Sequence, residues 1–480
     1  MTMTQLTAVE LLSHYKKKSL SPVDVVDQLF EKIHEVNPSL NAFVTLNEDE
    51  ARSLAQEAEE KYKNDEAVRP LEGIPIAIKD LTHTKGIRTT YGSPLFKDYI
   101  PDRDATVVKR LKDAGAIIMG KTNTPEFGYK GTTDNPLFGP TRNPWDLETN
   151  AGGSSGGSAA AVSAGLVPIA EGSDGGGSIR IPAALCGIYG FKPSYGRMPH
   201  DNHLGGIFGS HEPFLHSGTL TRSVEDAALM YDIMKGFTTT DPFVIPDNGL
   251  SAFERLNQME TKPKIGWTLD FGMYEVDEDV AAIFMETIDR LSEAGFEVQA
   301  AEFDMKKDIR EYIEYFEQLW TVGLAASCQK MAEEHPEAFS EGLLKMIERG
   351  KQLSAIQFKA LEKDRAYYWH LYQSLWEKYD ILLSPTLATP AFQYDWDGPP
   401  TINGKKIKAD SDWVMTQIYN ITGFPAISLP AGLTPHGLPV GVQAATQRLE
   451  DEQLLQFARY FETHLPALAG AVNQEIKQLK

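Results

Sequence analysis

Four stretches of this sequence carry residue types at spacings that could do chemistry. Gly152-Gly153-Ser154-Ser155-Gly156 fits G-x-S-x-G, the pattern of a serine nucleophile on a sharp strand-to-helix turn. That chemistry needs a later acid and histidine, and the downstream histidines offer poor context, since His436 sits in a Pro/Gly turn. Gly115 to Thr122, GAIIMGKT, fits the phosphate-binding pattern G-x4-G-K-T. A phosphate cradle needs an exposed loop of backbone N–H groups, whereas AIIM is β-prone and wants burial. Thr124-Pro125 also follows where the phosphate loop would open a helix. His200, His203, His211 and His216 put four of the eleven histidines within 17 residues. On a helix they could hold a metal, but Pro199, Gly205, Gly206 and Gly209 argue for a loop, and no HExxH occurs. No metal and no cofactor are expected. The fourth stretch, 150–190, holds eleven glycines and almost no charge. Its interleaved AAAVSAGLVPIA and IRIPAALCGIYGF want burial, so it reads as tightly packed core backbone and not as a flexible linker.

Regular elements must position these residues. Residues 6–64 read as helices, where Ser21 is an N-cap, Pro22 takes the first helical position and Val25, Leu29, Ile33 and Val36 share a face. Gly73–Lys79 is a short apolar run ending in a charge, which predicts a buried strand. A helix over 104–114 and a strand over 116–119 follow, then strands near 381–383, 426–429 and 440–442. Residues 277–350 read as helical, and the charge-mixed 393–412 as a surface loop. This alternation predicts an α/β/α fold with a large central mixed β-sheet covered by helices. No repeat or linker is evident, so the expectation is one domain over 1–480, with N-terminal helices in 1–65, a core in 73–200 and the helical region in 277–350.

Composition narrows the function classes. The 480 residues carry a formal net charge of −21, which repels phosphate backbones and anionic lipid heads, so no nucleic-acid and no membrane partner is expected. Two cysteines, Cys186 and Cys328, are too few for a disulfide framework. Neither a signal peptide nor an apolar run of spanning length is read, and the expected compartment is the cytoplasm.

The block GGSSGGSAAAVSAGLVPIAEGSDGGGSIRIPAALCGIYGFKPSYGR (152–197) resembles the signature of the amidase signature family of serine hydrolases. Further landmarks occur in order: GIPIAIKD (73–80), AGAIIMGKTNTPEFG (114–128), TRNPWD (141–146), SPTLATP (384–390) and GFPAISLPAG (423–432). The resemblance covers residues 8–465. It implies a Ser–Ser–Lys triad with Lys79 as base, Ser154 as bridging serine after a cis Gly153–Ser154 bond, and Ser178 as the acyl-forming nucleophile. It also implies that Ser155 hydrogen-bonds Lys79. The run Gly175, Gly176, Gly177, Ser178 would supply the oxyanion hole, because successive glycine amides can point one way with no side chain in front of them. Asp174 and Arg180 would clamp that turn, since buried charges need partners.

The residue chemistry is consistent with those roles. A serine hydroxyl is a weak nucleophile until a base takes its proton, and these motifs contain no histidine. A lysine serves if its amine is neutral near pH 7, and burial beside Ile74, Ile76 and Ile78 disfavours the ammonium form.

The resemblance implies hydrolysis of a C–N amide bond of a small molecule and leaves the amide open. Loops at 124–145, 198–217, 310–350 and 385–415 would build the pocket, carrying Phe127, Phe138, Trp145, Phe208, Phe214, Tyr315, Phe316 and Trp320. KTNTPEFG and TRNPW are also similar to the branch that contains cyclic amide oligomer hydrolases. Two rivals stand beside a stand-alone amidase. One is the A subunit of a tRNA-dependent amidotransferase, a glutaminase working with a partner. The other is a non-catalytic binding protein that kept the fold, against which the intact Lys79, Ser154 and Ser178 count. A homodimer is left open.

Overall fold

The N-terminal helix Pro22–Leu40 forms as its capping residues dictate: Ser21 Oγ accepts the N–H of Val23 at 3.0 Å, and Val25, Leu29, Ile33 and Val36 are buried. In this computed structural model residues 3–201 and 214–465 are described. Pro75–Lys79 is buried at every position, with no polar alternation, because it pairs with a parallel neighbour on both edges and is covered on both faces.

Eleven strands make one mixed sheet. They are β1 (Phe43–Leu46), β2 (Pro75–Lys79), β3 (Ile117–Thr122), β6 (Ile169–Asp174), β7 (Tyr189–Lys192), β8 (His216–Thr221), β9 (Ile265–Trp267), β10 (Val298–Ala300), β11 (Ile381–Pro385), β14 (Ala426–Leu433) and β15 (Pro439–Thr446). Two short ladders lie apart, β4 (Arg142–Asn143) with β5 (Asp146–Asn150), and β12 (Thr401–Ile402) with β13 (Lys405–Lys406). The order across the sheet is β1-β3-β2-β6-β8-β7-β14-β15-β11-β9-β10. β3, β2 and β6 run parallel, while β8, β7, β14 and β15 pair antiparallel. One apolar cluster packs the N-terminal helices and helix Val224–Met234 against the sheet; a second lies under the aromatic helices Ile309–Glu334 and Glu362–Trp376.

Several expectations need adjustment. The strand expected at 116–119 runs on to Thr122, so the G-x4-G-K-T match lies within β3. Lys121 is fully buried, and its Nζ donates to Thr82 O, Thr84 Oγ1 and Thr89 Oγ1. The region 277–350 holds three helices, Glu278–Glu293, Ile309–Glu334 and Glu341–Lys351, with irregular connections and β10, an edge strand held parallel to β9, between the first two. The expected loop 393–412 contains the β12–β13 hairpin, and Asp397, Asp410 and Ser411 in it face a cleft.

The chain places the chemistry where the parallel strands end. β2 and β6 are parallel neighbours, and their last residues are Lys79 and Asp174. Crevices at the carboxyl ends of parallel strands are the usual binding positions in α/β sheets. Helix Gly156–Ser163 passes behind them, uncharged, built of small residues and buried over Gly156–Val162, with Gly157 so close that a Cβ would meet Ala42 O at 2.7 Å.

Candidate active site

Lys79 closes β2 with no exposed surface. Its Nζ lies 2.7 Å from Ser154 Oγ and 3.0 Å from Ser173 Oγ. Burial lowers its pKa from 10.5 to about 7, against the opposing pull of the Glu171 and Asp174 carboxylates. An amine at that value is half neutral at pH 7 and can take a proton.

Ser154 follows a cis Gly153–Ser154 peptide. Gly153 lies against Thr132, where a Cβ would come within 2.6 Å of the backbone. Ser154 sits beneath cleft-lining Gly128, whose added Cβ would be 3.4 Å from Ser154 Oγ.

Ser155 corrects one expectation. Its Oγ donates to Ser173 O at 3.2 Å, and the second hydroxyl on Lys79 is that of Ser173. Ser155 packs instead over Gly172, where an added Cβ would come within 3.0 Å of its Oγ. The Ser155 N–H donates to Ser178 O at 3.1 Å, tying the two serine segments together.

The turn 174–180 is built around a buried ion pair. Arg180 grips Asp174 through two bonds of 3.0 Å, and neither side chain has exposed surface. Burial pushes the Asp174 pKa up, but the Arg180 guanidinium, with Lys192 and His216, outweighs it and holds the carboxyl well below its usual range. Asp174 Oδ1 accepts the Gly177 N–H at 2.7 Å and Oδ2 accepts that of Ile179 at 3.2 Å. Asn420 and Thr416 reach in from the far side. Asn420 Nδ2 donates to Asp174 Oδ1 at 2.9 Å, and Thr416 Oγ1 donates to Gly176 O at 2.6 Å. Gly177 adopts φ +126, a conformation open to glycine, with Thr416 Oγ1 where a Cβ would go.

This geometry narrows the expected oxyanion donors. The Gly177 N–H is engaged by Asp174, so Gly177 is a strut of the turn. The amides of Gly175, Gly176 and Ser178 have no acceptor among the described residues. Ser178 and Gly176 line a cleft of about 460 Å³.

Phe316 and Trp320 wall that cleft, stacked with centroids 6.2 Å apart, and Ile181, Met346 and Val414 add apolar surface. Its rim is ionic and internally paired. Lys130 meets Asp397 at 2.7 Å, and Glu317 meets Lys408 at 2.7 Å and Arg349. The other described aromatic residues expected there sit elsewhere. Trp145 donates to Cys186 O, Phe214 stacks on Tyr195, Tyr315 is in the core, Phe138 lies near Arg88, and Phe127 stacks on Phe339. Phe208, His203 and His211 lie outside the described residues. His216 is buried in β8, its Nε2 3.3 Å from Lys192 Nζ. Among the described residues no three His, Cys, Asp or Glu side chains gather as a metal site. Cys186 and Cys328 are buried free thiols.

Sequence reasoning missed Glu171, Ser173, Thr416 and Asn420. Glu171 left a signal: it is one of three charges in the 150–190 stretch, in a segment that must be buried. Thr416 and Asn420 left none, because they reach the turn from some 240 residues away in the chain.

The family model described as Amidase matches residues 24–455. An acylamidase of Rhodococcus erythropolis is 35% identical over 463 residues, covering 96% of each chain. The crystal structure of a bacterial aryl acylamidase of the amidase signature enzymes superposes with TM-score 0.89 at 33% identity, covering 98% of each chain. A 6-aminohexanoate cyclic dimer hydrolase superposes with TM-score 0.86 at 28% identity, covering 99% of this chain and 100% of the other. A subunits of glutamyl-tRNA(Gln) amidotransferases are also similar, one from Carboxydothermus hydrogenoformans at 34% identity over 96% of this chain and 98% of its own. With this family match over nearly its whole length and a fold that superposes on those structures, the chain belongs to the amidase signature family.

Proposed function

We propose that this chain is a stand-alone amidase that hydrolyses the C–N bond of small amides bearing an apolar, aryl-sized group, through an acyl-enzyme on Ser178. The observation that carries the reading is the 2.7 Å contact between Ser154 Oγ and the amine of a fully buried lysine. Neutral Lys79 takes the Ser154 proton while Ser154 takes that of Ser178. The Ser178 oxygen attacks the substrate carbonyl, and the amides of Gly175, Gly176 and Ser178 hold the developing oxyanion, each such donor contributing about 3 kcal/mol. The C–N bond then breaks, and the leaving nitrogen takes the proton held on Lys79, returned through Ser154. Water, deprotonated by the same pair, attacks the ester and frees the acid and Ser178.

The cleft supports the substrate class. Its volume of about 460 Å³ falls in the range of small-molecule sites, and its walls are the Phe316 and Trp320 rings. Its rim charges neutralise one another, which leaves no unpaired ion to demand a charged substrate. Two relatives are named as acylamidases. No helix among the described residues is long and apolar enough to cross a membrane. With both cysteines as buried free thiols, the compartment we assign is the reducing cytoplasm. No partner subunit enters the chemistry, and pairing of copies as a homodimer is read from mass by light scattering.

The test uses the purified chain alone. It should hydrolyse aryl amides, and intact-mass and peptide analysis after a slow substrate should place the adduct on Ser178. Ser178→Ala should fold and carry no adduct. An adduct on Ser154 or Ser155 overturns the assignment. Hydrolysis of glutamine alone, gained only on adding a partner, returns the amidotransferase reading.

A further inference from the structure

Glu171 is a buried carboxylate that the mechanism above leaves unused. It lies in β6 with no exposed surface, and its Oε2 accepts the backbone N–H of Lys79 at 3.1 Å. Thr82 Oγ1 reaches its two oxygens at 3.0 and 3.1 Å. On β3, across β2 from β6, stands Lys121, also fully buried, which interacts electrostatically with both Glu171 and Asp80. Asp80 follows Lys79 directly and accepts the Thr90 N–H at 3.1 Å. Four ionisable groups are thus buried close together at the adjacent strands β2, β3 and β6, a single dry layer of the protein spanning the sheet.

Their charges do not cancel while Lys79 is neutral. When Asp80 and Glu171 are ionised and Lys121 is protonated, two negative charges face one positive, since the Asp174–Arg180 pair beside them is neutral as a unit. The layer then holds one excess negative charge, and a proton on Lys79 removes it. We propose that Glu171 is a positioning residue that acts as the counter-ion of the Lys79 ammonium formed as Ser154 yields its proton. This rests on Lys79 being the base.

The surrounding groups agree in sign. The Lys79 amine feels the charges of the Glu171 and Asp174 carboxylates, both of which favour the ammonium, and contacts the hydroxyls of Ser154 and Ser173. Glu171 faces Lys79 and Lys121, which favour its ionised form against the burial that raises its pKa. Beyond them, Lys121 also feels Lys112 and Asp104, and Asp80 feels Arg88. Removing the Glu171 charge therefore makes Lys79 a weaker base. Removing Lys121 frees the whole Glu171 charge for Lys79 and makes it a stronger one.

The experiment measures kcat/KM against pH for the full chain. In Glu171→Gln the acidic limb should fall by about one pH unit or more, with a lower plateau, because a weaker base transfers the proton less readily. Glu171→Asp keeps the charge and should leave the limb near its wild-type position. Lys121→Met should move the limb upward, and it carries the test if Glu171→Gln does not fold. A folded Glu171→Gln with an unmoved limb, or a limb unmoved or lowered in Lys121→Met, overturns the proposal, since a merely structural role lowers stability without moving the two limbs in opposite directions. A wild-type limb that survives in the residual activity of Lys79→Ala instead refutes Lys79 as base, a separate failure.

Discussion

Replacing Lys79 tests the chemistry most directly. Its amine donates to Ser154 and Ser173 with no exposed surface, and its pKa is carried from 10.5 to about 7 by burial. At pH 7 an unperturbed lysine is neutral in about three molecules in ten thousand, whereas this one is neutral in about half, so burial supplies about a thousandfold more base. Lys79→Ala should lose about two to four powers of ten in kcat/KM. Lys79→Arg should lose nearly as much, because a guanidinium stays protonated and cannot accept. The same shift is a stability statement. The folded pKa lies below the unfolded one, so between about pH 7 and 10.5 the unfolded chain binds more protons, and stability rises with pH across that window. Relative to Lys79→Met, wild type should therefore gain up to about 5 kcal/mol as pH rises from 7 to above 10.5, read from denaturant midpoints at each pH. The assay is kcat/KM across pH 5–10 on an aryl amide, with unfolding in parallel. An active Arg variant, or a stability difference independent of pH, would refute a neutral buried lysine.

Two further outcomes follow from the packing. Arg180→Met leaves Asp174 buried without its cation and should cost about 3–5 kcal/mol in a urea unfolding series, whereas a loss under 1 kcal/mol would mean that Asn420 and the turn amides alone hold the carboxylate. Phe316→Ala opens the cleft wall opposite Gly176, so KM for aryl amides should rise several-fold while bulkier acyl groups become accepted; unchanged selectivity would place the acyl group elsewhere.

Much of this was legible in the sequence because it is local. Ser21-Pro22 and the apolar spacing to Val36 specify a helix through capping and side-chain periodicity, and Pro22–Leu40 has its buried face as read. The run before Lys79 is apolar at every position, which suits only a strand covered on both faces, and β2 is one. The low charge of 150–190 marked it as core, and it supplies the Gly153–Ser154 bend, helix Gly156–Ser163 and β6.

The rest required residues distant in sequence to meet. That Ser173 and not Ser155 holds the Lys79 amine depends on where the ends of β2 and β6 lie beside each other, a matter of strand order and register. Gly177 is bound to Asp174 because Arg180, Asn420 and Thr416 together fix that carboxylate and turn. Of the seven described aromatic residues expected at the pocket, Phe316 and Trp320 line it, since a helix's aromatic face looks alike whether it covers a core or a cleft. The sequence by itself determined the helices, the buried strand and the block of serines and glycines, because capping, periodicity and burial act between neighbours. Tertiary structure alone decided which hydroxyl holds the lysine, which amides stay free and which rings line the cleft, because hydrogen bonds and Coulomb forces act over a few ångströms of space and take no account of separation along the chain.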